Sequence, residues 1–376
     1  MLSLYIHIPF CVRKCGYCGF YSTQYSTRIA DEFITCLECD AARNRSDFTH
    51  RLFTNIYIGG GTPTALSLAQ LERIVRTIRQ YFPIADDAEF TVEANPNTVT
   101  NDKLVLLLKL GVNRLSLGVQ SFSDDVLRTL GRLHTSEDAV NAFRLARSAG
   151  FGNIGLDLIF GIPCQTAAHW KDTLDAAITL KPEHVSAYSL SLDKGSQWQR
   201  EAENGGLTLP DEEVAAAMYE RAVQTLHNAG YGQYEISNYS LPGFECRHNV
   251  NYWERGEYLG LGPGAWSFIL GERYSTMADT EEYSLGVLSG RTAVDIHELV
   301  GSEQSARETI LLRLRTMKGL DVRRFEREYG PDFLLRLERN AVPLRERGLL
   351  HLSEGHLRLT DRGILLSDEA LVRLSL

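Results

Sequence analysis

Three cysteines fall within eight residues in the segment CVRKCGYC, at Cys11, Cys15 and Cys18, spaced C-x3-C-x2-C. Thiolates packed this closely point to a metal centre. Seven cysteines, an odd number with three clustered, suit a reducing compartment better than a disulfide framework. Structural zinc wants a closed shell of four ligands, so a zinc reading must recruit His7, Cys36 or Cys39. Cys36 and Cys39 lie inside a helical pattern, where small buried thiols are common and inert. An iron–sulfur cluster is the other reading. A four-iron cubane held by only three thiolates leaves one iron open, and an open position marks a metal that handles a ligand rather than bracing a fold. Gly16 and Gly19 would let the chain wrap closely, and Tyr17, Phe20 and Tyr21 would shield the centre from water.

Such a loop needs elements to position it. β-rich segments run over Leu2–Pro9, Asn55–Gly59, Glu89–Ala94, Arg114–Gln120, Ile154–Phe160 and His184–Ser191. Helical periodicity fills the intervals at Thr27–Arg43, Leu68–Tyr81, Asn101–Leu110, Ser136–Ala149 and Ala167–Thr179. Six strands alternating with five helices predict βαβ units and a parallel sheet. The special residues follow the strands: the cysteines after the first, GGGTP (Gly59–Pro63) after the second, Glu93 with Asn95 and Pro96 at the third, Gln120 at the fourth and Gly161–Pro163 after the fifth. Active sites gather at the carboxyl ends of barrel strands. The fold class read from this pattern is α/β, a partial (β/α)6 barrel.

After residue 200 the rhythm breaks. An amphipathic helix is expected over Asp211–Ala229, opened by acids and closed by Gly230. An aromatic, polar stretch containing HNVNYW follows. From about residue 302 the order is helix, helix, hairpin, helix, compatible with a winged-helix-like module. Three units are expected: 1–200, 201–300 and 301–376. From Gly301 on there are 14 Lys and Arg against 12 Asp and Glu, net +2, whereas residues 1–300 carry 25 against 36, net −11. An overall charge of −9 argues against broad nucleic-acid binding. No apolar run is long enough to span a bilayer, and the first ten residues do not read as a secretory signal, so a cytoplasmic protein is expected.

The cysteine loop after a first strand resembles the signature of the radical S-adenosylmethionine (SAM) superfamily. The segments YIHIPFCVRKCGYC, IYIGGGTPT, VEANP, RLSLGVQSF, LGRLH, GLDLIFGIPCQ, YEISNYS and HNVNYW narrow the resemblance to the branch of oxygen-independent coproporphyrinogen oxidase and the HemW-type heme chaperones, over essentially the full length. The resemblance implies a [4Fe-4S] cluster on Cys11, Cys15 and Cys18, with SAM chelating the open iron. It also implies SAM contacts from Gly60, Gly61, Thr62, Glu93, Gln120, Arg132 and Asp157. Tyr5 and Tyr17 match aromatic positions beside the ligand and cluster.

Within that branch the residues lean toward the chaperone. The oxidases carry a further cysteine two positions past the third, where this chain has Phe20. They also carry an extension before the first strand, which here starts at residue 2. His248 in HNVNYW matches a heme-binding motif and is expected to offer an axial nitrogen, with Tyr252 and Trp253 presenting flat apolar surface. No catalytic residue is assigned. Heme and heme-accepting proteins are the implied partners, with a homodimer and a peripheral membrane contact compatible with the reading. Relatives commonly have a histidine where GPGAWS has Trp266, and Cys246 is a weak alternative thiolate. His134 reads as an ordinary polar loop residue, Cys164 as a small buried thiol, and Trp170 and Trp198 as packing residues. The alternatives are the oxidase itself, an RNA- or protein-modifying radical enzyme docking through Asp321–Arg347, and a structural zinc protein.

Overall fold

The computed structural model describes residues 1–290 and 293–374. Six parallel strands follow the predicted segments: β1 (Leu2–Ile8), β2 (Phe53–Gly60), β3 (Ile84–Ala94), β4 (Arg114–Gln120), β5 (Ile154–Phe160) and β6 (His184–Ser189). They pair in sequence order, with Tyr5 beside Tyr57, Glu93 beside Ser116, and Asp157 beside both Gly118 and Ser186. Five helices cover the outside: α1 (Thr27–Phe48), α2 (Leu68–Tyr81), α3 (Asn101–Lys109), α4 (Ser136–Ala149) and α5 (Ala167–Leu180). Their starts are written locally: α2, α4 and α5 open with capping boxes at Ser67, Thr135 and Thr166, each satisfying amide groups that the first turn leaves bare. Alternate strand positions fill the core with Ile, Leu, Val and Phe, all buried.

The parallel barrel stays open, and the middle of the chain extends the sheet at both ends. A helix α6 (Glu212–Asn228) leads into β7 (Gly232–Gln233) and β8 (Asn238–Ser240), the latter antiparallel to β6. The short helix α7 (Arg247–Trp253) carries the HNVNYW segment. Then β9 (Glu257–Leu261) runs parallel to β1 on its free side, and β10 (Trp266–Ile269), β11 (Glu272–Thr276) and β12 (Val294–Leu299) add an antiparallel meander. The described residues thus form a twelve-stranded sheet, where six strands were expected.

The C-terminal unit has its own core, built from residues between Ala306 and Leu374. It contains α8 (Ser302–Arg313), two further helices at Val322–Tyr329 and Pro331–Glu346, and a hairpin of Leu350–Ser353 with His356–Leu359, joined by Leu320–Asp321. It joins the larger body through backbone bonds from Ile236 N–H to the Arg315 carbonyl (3.1 Å) and from Met317 N–H to the Tyr234 carbonyl (3.1 Å). Side-chain ion pairs from Arg313 to Glu254 and from Arg255 to Glu308 reinforce the junction. Among the described residues no helix is long and apolar enough to cross a membrane.

Candidate functional site

The cysteine loop is stitched down at both ends by backbone bonds. Phe10–Cys11 pairs with Thr23–Gln24, the Tyr25 amide donates to the Cys11 carbonyl (2.9 Å), and the Gly19 amide donates to Asp193 Oδ2 (3.1 Å). Beneath the loop His7 acts as a rivet. Burial depresses its pKa and keeps it neutral, so one ring nitrogen donates and the other accepts. With Nε2–H directed to the Tyr21 carbonyl (2.9 Å), Nδ1 takes the Tyr5 hydroxyl (3.1 Å). Trp198 closes the far side, its amide on the Gly16 carbonyl (3.0 Å) and its ring 5.8 Å from that of Tyr17.

The GGGTP turn lies directly against this loop. The Gly61 and Thr62 amides donate to the carbonyls of Ile8 (2.8 Å) and Phe10 (2.7 Å). A Cβ on Gly61 would stand 2.5 Å from the Phe10 carbonyl oxygen and 2.9 Å from that of Ile8, so the glycine is required by contact between two backbones. The amides expected to face SAM are therefore already used within the protein, and Gly60 N–H also goes to Glu93 Oε2 (3.1 Å). Gly61→Ala is expected to cost about 1–3 kcal/mol, because neither backbone can yield without the other. Thermal unfolding of the metal-free protein measures this, and an unchanged midpoint would refute the tight contact.

Loop and turn enclose one end of a cavity of about 500 Å³ at the carboxyl ends of the strands. Cys11, Cys15, Cys18, Tyr17, Gly60, Gly61, Thr62, Glu93, Gln120, Arg132 and Asp157 all line it. Tyr5 does not. Its ring lies deeper in the barrel, 6.2 Å from Tyr57 and 6.1 Å from His248, so the structure places it under the site rather than in its wall. Among the described residues no three His, Cys, Asp or Glu side chains converge on a single ion.

Electrostatics differ along this wall. Glu93 takes the Tyr57 hydroxyl on Oε1 (2.8 Å), yet enclosure and the neighbouring Asp157 push its pKa up to about 7. Asp157 is also raised by burial, and accepts from Ser116 Oγ (3.0 Å) and Ser186 Oγ (2.9 Å). Arg132 points Nη1 at Cys15 Sγ (3.7 Å) and Nη2 at the Gly118 carbonyl (2.7 Å). Thr62 Oγ1 lies 3.6 Å from Cys11 Sγ. Gln120 is held at φ +67°, a left-handed conformation that a non-glycine residue adopts at a cost, and such strain clusters at functional sites. Buried Arg132 Nε and Asn95 Oδ1 have no hydrogen-bond partner among the described residues, so this cavity wall fits a polar ligand.

Several residues lie elsewhere than expected. His248 is 2% exposed and faces the barrel interior, stacked on Tyr57 at 4.8 Å with Tyr252 edge-on at 4.6 Å; burial and nearby Arg114 depress its pKa to about 3. Cys246 is fully buried beside Glu89, and burial pushes its thiol up to about 12. His134, expected as a plain loop residue, is buried and bonds the Val119 carbonyl (3.0 Å), pinning the loop that carries Arg132. Cys164, expected to be buried, is exposed at φ +64°. Trp170 and Trp198 pack as expected. The sequence reading missed Tyr57, Ser116, Ser186 and Asp193. Inward alternation along the second strand could have found Tyr57, whereas Asp193 sits in an irregular stretch with no such signal.

The sequence matches the radical SAM superfamily over residues 5–177 and the HemN C-terminal domain over residues 301–366. It is 38% identical to a Bacillus subtilis protein named heme chaperone HemW, over 98% of both chains. It is 41% identical to the Escherichia coli protein of the same name, over 70% of this chain and 69% of that one. It is 32% identical to a bovine mitochondrial radical S-adenosyl methionine domain-containing protein, over 99% of this chain and 87% of that one. Among solved structures, E. coli coproporphyrinogen III oxidase (HemN), a radical SAM enzyme, superposes with a TM-score of 0.88 over 100% of this chain and 90% of its own, at 25% identity. With a cysteine loop, a glycine turn and a polar wall meeting at one cavity, and with relatives matching end to end, the chain belongs to the HemW family of radical SAM proteins.

Proposed function

We propose that this protein is a heme chaperone that holds a [4Fe-4S] cluster on Cys11, Cys15 and Cys18, binds SAM in the adjoining cavity, and carries heme to acceptor proteins in the cytoplasm. The observation that carries the reading is the 38% identity with a heme chaperone through 98% of both chains. Three thiols on one loop, all lining one cavity, leave a bound cluster open toward that cavity. When bound, a cluster of this kind with SAM supplies one-electron reductive cleavage to a 5′-deoxyadenosyl radical. The chain's own residues would tune and orient. Thr62 and Arg132 direct donors at the Cys11 and Cys15 sulfurs, and such bonds to the thiolates of a bound cluster would raise its potential. Glu93, Gln120, Asp157 and the Gly60–Thr62 turn would shape the SAM pocket. His248 remains the proposed axial heme ligand, and its interior position means that ligation would follow an opening of α7.

In this reading residues 1–200 are the barrel unit, 201–300 its extension and 301–376 a docking unit. Three of the seven arginines between Asp321 and Arg347, namely Arg324, Arg336 and Arg347, are paired with a carboxylate, which weighs against a nucleic-acid face. A homodimer and a peripheral membrane contact are tested by light scattering and vesicle flotation.

The oxidase is the second reading, favoured by the TM-score of 0.88. Phe20, 61% exposed, stands where the oxidases have their additional cysteine. Anaerobically reconstituted protein given SAM, dithionite and coproporphyrinogen III is expected to form no protoporphyrinogen. It should bind one equivalent of heme, more weakly in His248→Ala. Protoporphyrinogen formation would make it an oxidase.

A further inference from the structure

The HNVNYW segment does not act as one surface. His248 turns into the barrel, while Asn249, Tyr252 and Trp253 of the same helix line a separate cavity of about 350 Å³. Tyr252 stands between the two, its ring edge-on to His248. The other walls come from Tyr188 at the end of β6, from the loop of Glu235 to Asn238, and from Arg315 of the C-terminal unit. Tyr188 also lines the cluster cavity, so the two spaces share a wall residue.

The chemistry of this second cavity is that of a flat, apolar, carboxylate-bearing ligand. Trp253, Tyr252 and Tyr188 offer ring surface for a planar π-system. Arg315 is the cation of the wall, and its backbone is tied to the opposite wall because its carbonyl accepts the Ile236 amide. Its ion pair to Asp368 at 3.4 Å is with a carboxylate 92% exposed and so is weak and replaceable. Glu235 would oppose an anion, but it is already engaged: Oε2 takes the Ser237 amide (3.2 Å), Oε1 takes the Asn238 side chain, and burial pushes its carboxyl toward the neutral form. A volume near the lower end for ligand pockets would seat one edge of a tetrapyrrole and leave the rest open, which suits a carrier that must release its cargo.

We propose that heme docks in this cavity by its carboxylate edge, with a propionate on Arg315 and the macrocycle against Tyr252 and Trp253, independently of any bond from His248 to iron. This inference rests on the heme reading above and adds the site and its anchoring residue. Three ligands separate the contributions when titrated into the full-length protein: hemin, metal-free protoporphyrin IX, and its dimethyl ester. Arg315→Gln is expected to weaken hemin and protoporphyrin IX about tenfold, the value of one charge-assisted contact, and to leave the ester unchanged. Asp368→Asn, which removes the competing carboxylate, should hold or tighten binding of the two acids. Wild-type affinity for hemin in Arg315→Gln would overturn the inference, as would failure of metal-free porphyrin to bind while hemin binding depends on His248. In both cases the heme reading survives. No porphyrin binding by the wild-type chain would instead remove that reading itself.

Discussion

Replacing Cys11, Cys15 and Cys18 together by alanine is expected to abolish the visible absorbance of anaerobically reconstituted protein and, with it, SAM binding, while the chain stays folded. The fold is spared because none of the three thiols belongs to the core. All are partly exposed and line the cavity. The loop's shape is set by bonds that the substitution leaves in place: the Thr23 and Tyr25 amides on the Pro9 and Cys11 carbonyls, His7 on the Tyr21 carbonyl, and Gly19 on Asp193. Removing sulfur atoms from such a surface loop should move stability by about 0.5 kcal/mol or less. Binding of the cluster has no comparable reserve, since thiolates are the ligands such clusters require and among the described residues no group of His, Cys, Asp and Glu side chains converges that could replace them. Iron and sulfide analysis beside thermal unfolding separates the two effects. A brown, iron-replete triple variant would refute the ligand assignment, and a colourless wild type with bound zinc would refute the cluster. If the variant delivered heme to an acceptor as well as the wild type, cluster and SAM would be uncoupled from transfer.

That experiment rests on residues whose clustering could be read before any fold was known, because short-range spacing puts the three cysteines on one loop, and the structure sets all three in the wall of one cavity. The strand-and-helix alternation of residues 1–190 was equally legible, since hydrophobic periodicity and capping are local. What stayed hidden depended on contacts distant in the chain. The four strands from Glu257 to Leu299 are short and broken by glycines, and β9 exists as a strand because β1 has a free edge to pair with. His248 shows the same limit in a functional residue. Its motif places it beside aromatics, but whether it meets a ligand or the barrel depends on Tyr57 and Tyr5, nearly two hundred or more residues earlier. His134 and Cys164 exchanged environments against expectation for a related reason. A histidine can be buried when one carbonyl accepts it, and Cys164 was turned outward by the left-handed turn that follows β5.

The SAM affinity of the wild type is expected to rise about tenfold between pH 6 and pH 8, the change for one proton lost near pH 7. Glu93 is the group responsible. Its pKa in the folded protein, about 7, lies above the usual carboxylate range, chiefly through loss of hydration and secondarily through Asp157, and despite the Tyr57 hydroxyl and Gly60 amide that favour the charged form. Below the ordinary carboxylate pKa both folded and unfolded chains hold the proton, and nothing changes. Between that value and 7 the folded chain keeps a proton that the unfolded chain has lost, so the stability of the ligand-free protein falls as pH rises through this window. A ligand bearing an ammonium binds the ionised form preferentially and draws the proton off, so its affinity moves the opposite way. Glu93→Gln removes the charge and keeps one acceptor oxygen, for Tyr57 or for the Gly60 amide but not both. The substitution should flatten the pH dependence of SAM binding and of the ligand-free protein's stability. It should also weaken SAM roughly tenfold to a hundredfold at pH 8, the value of a charged hydrogen bond. Equilibrium dialysis of both proteins at three pH values tests this, and any titration of SAM itself appears equally in both. A wild-type curve parallel to that of Glu93→Gln would show that Glu93 does not face the cation. The acid would then be serving only the Tyr57 and Gly60 bonds that hold the glycine turn against the cysteine loop.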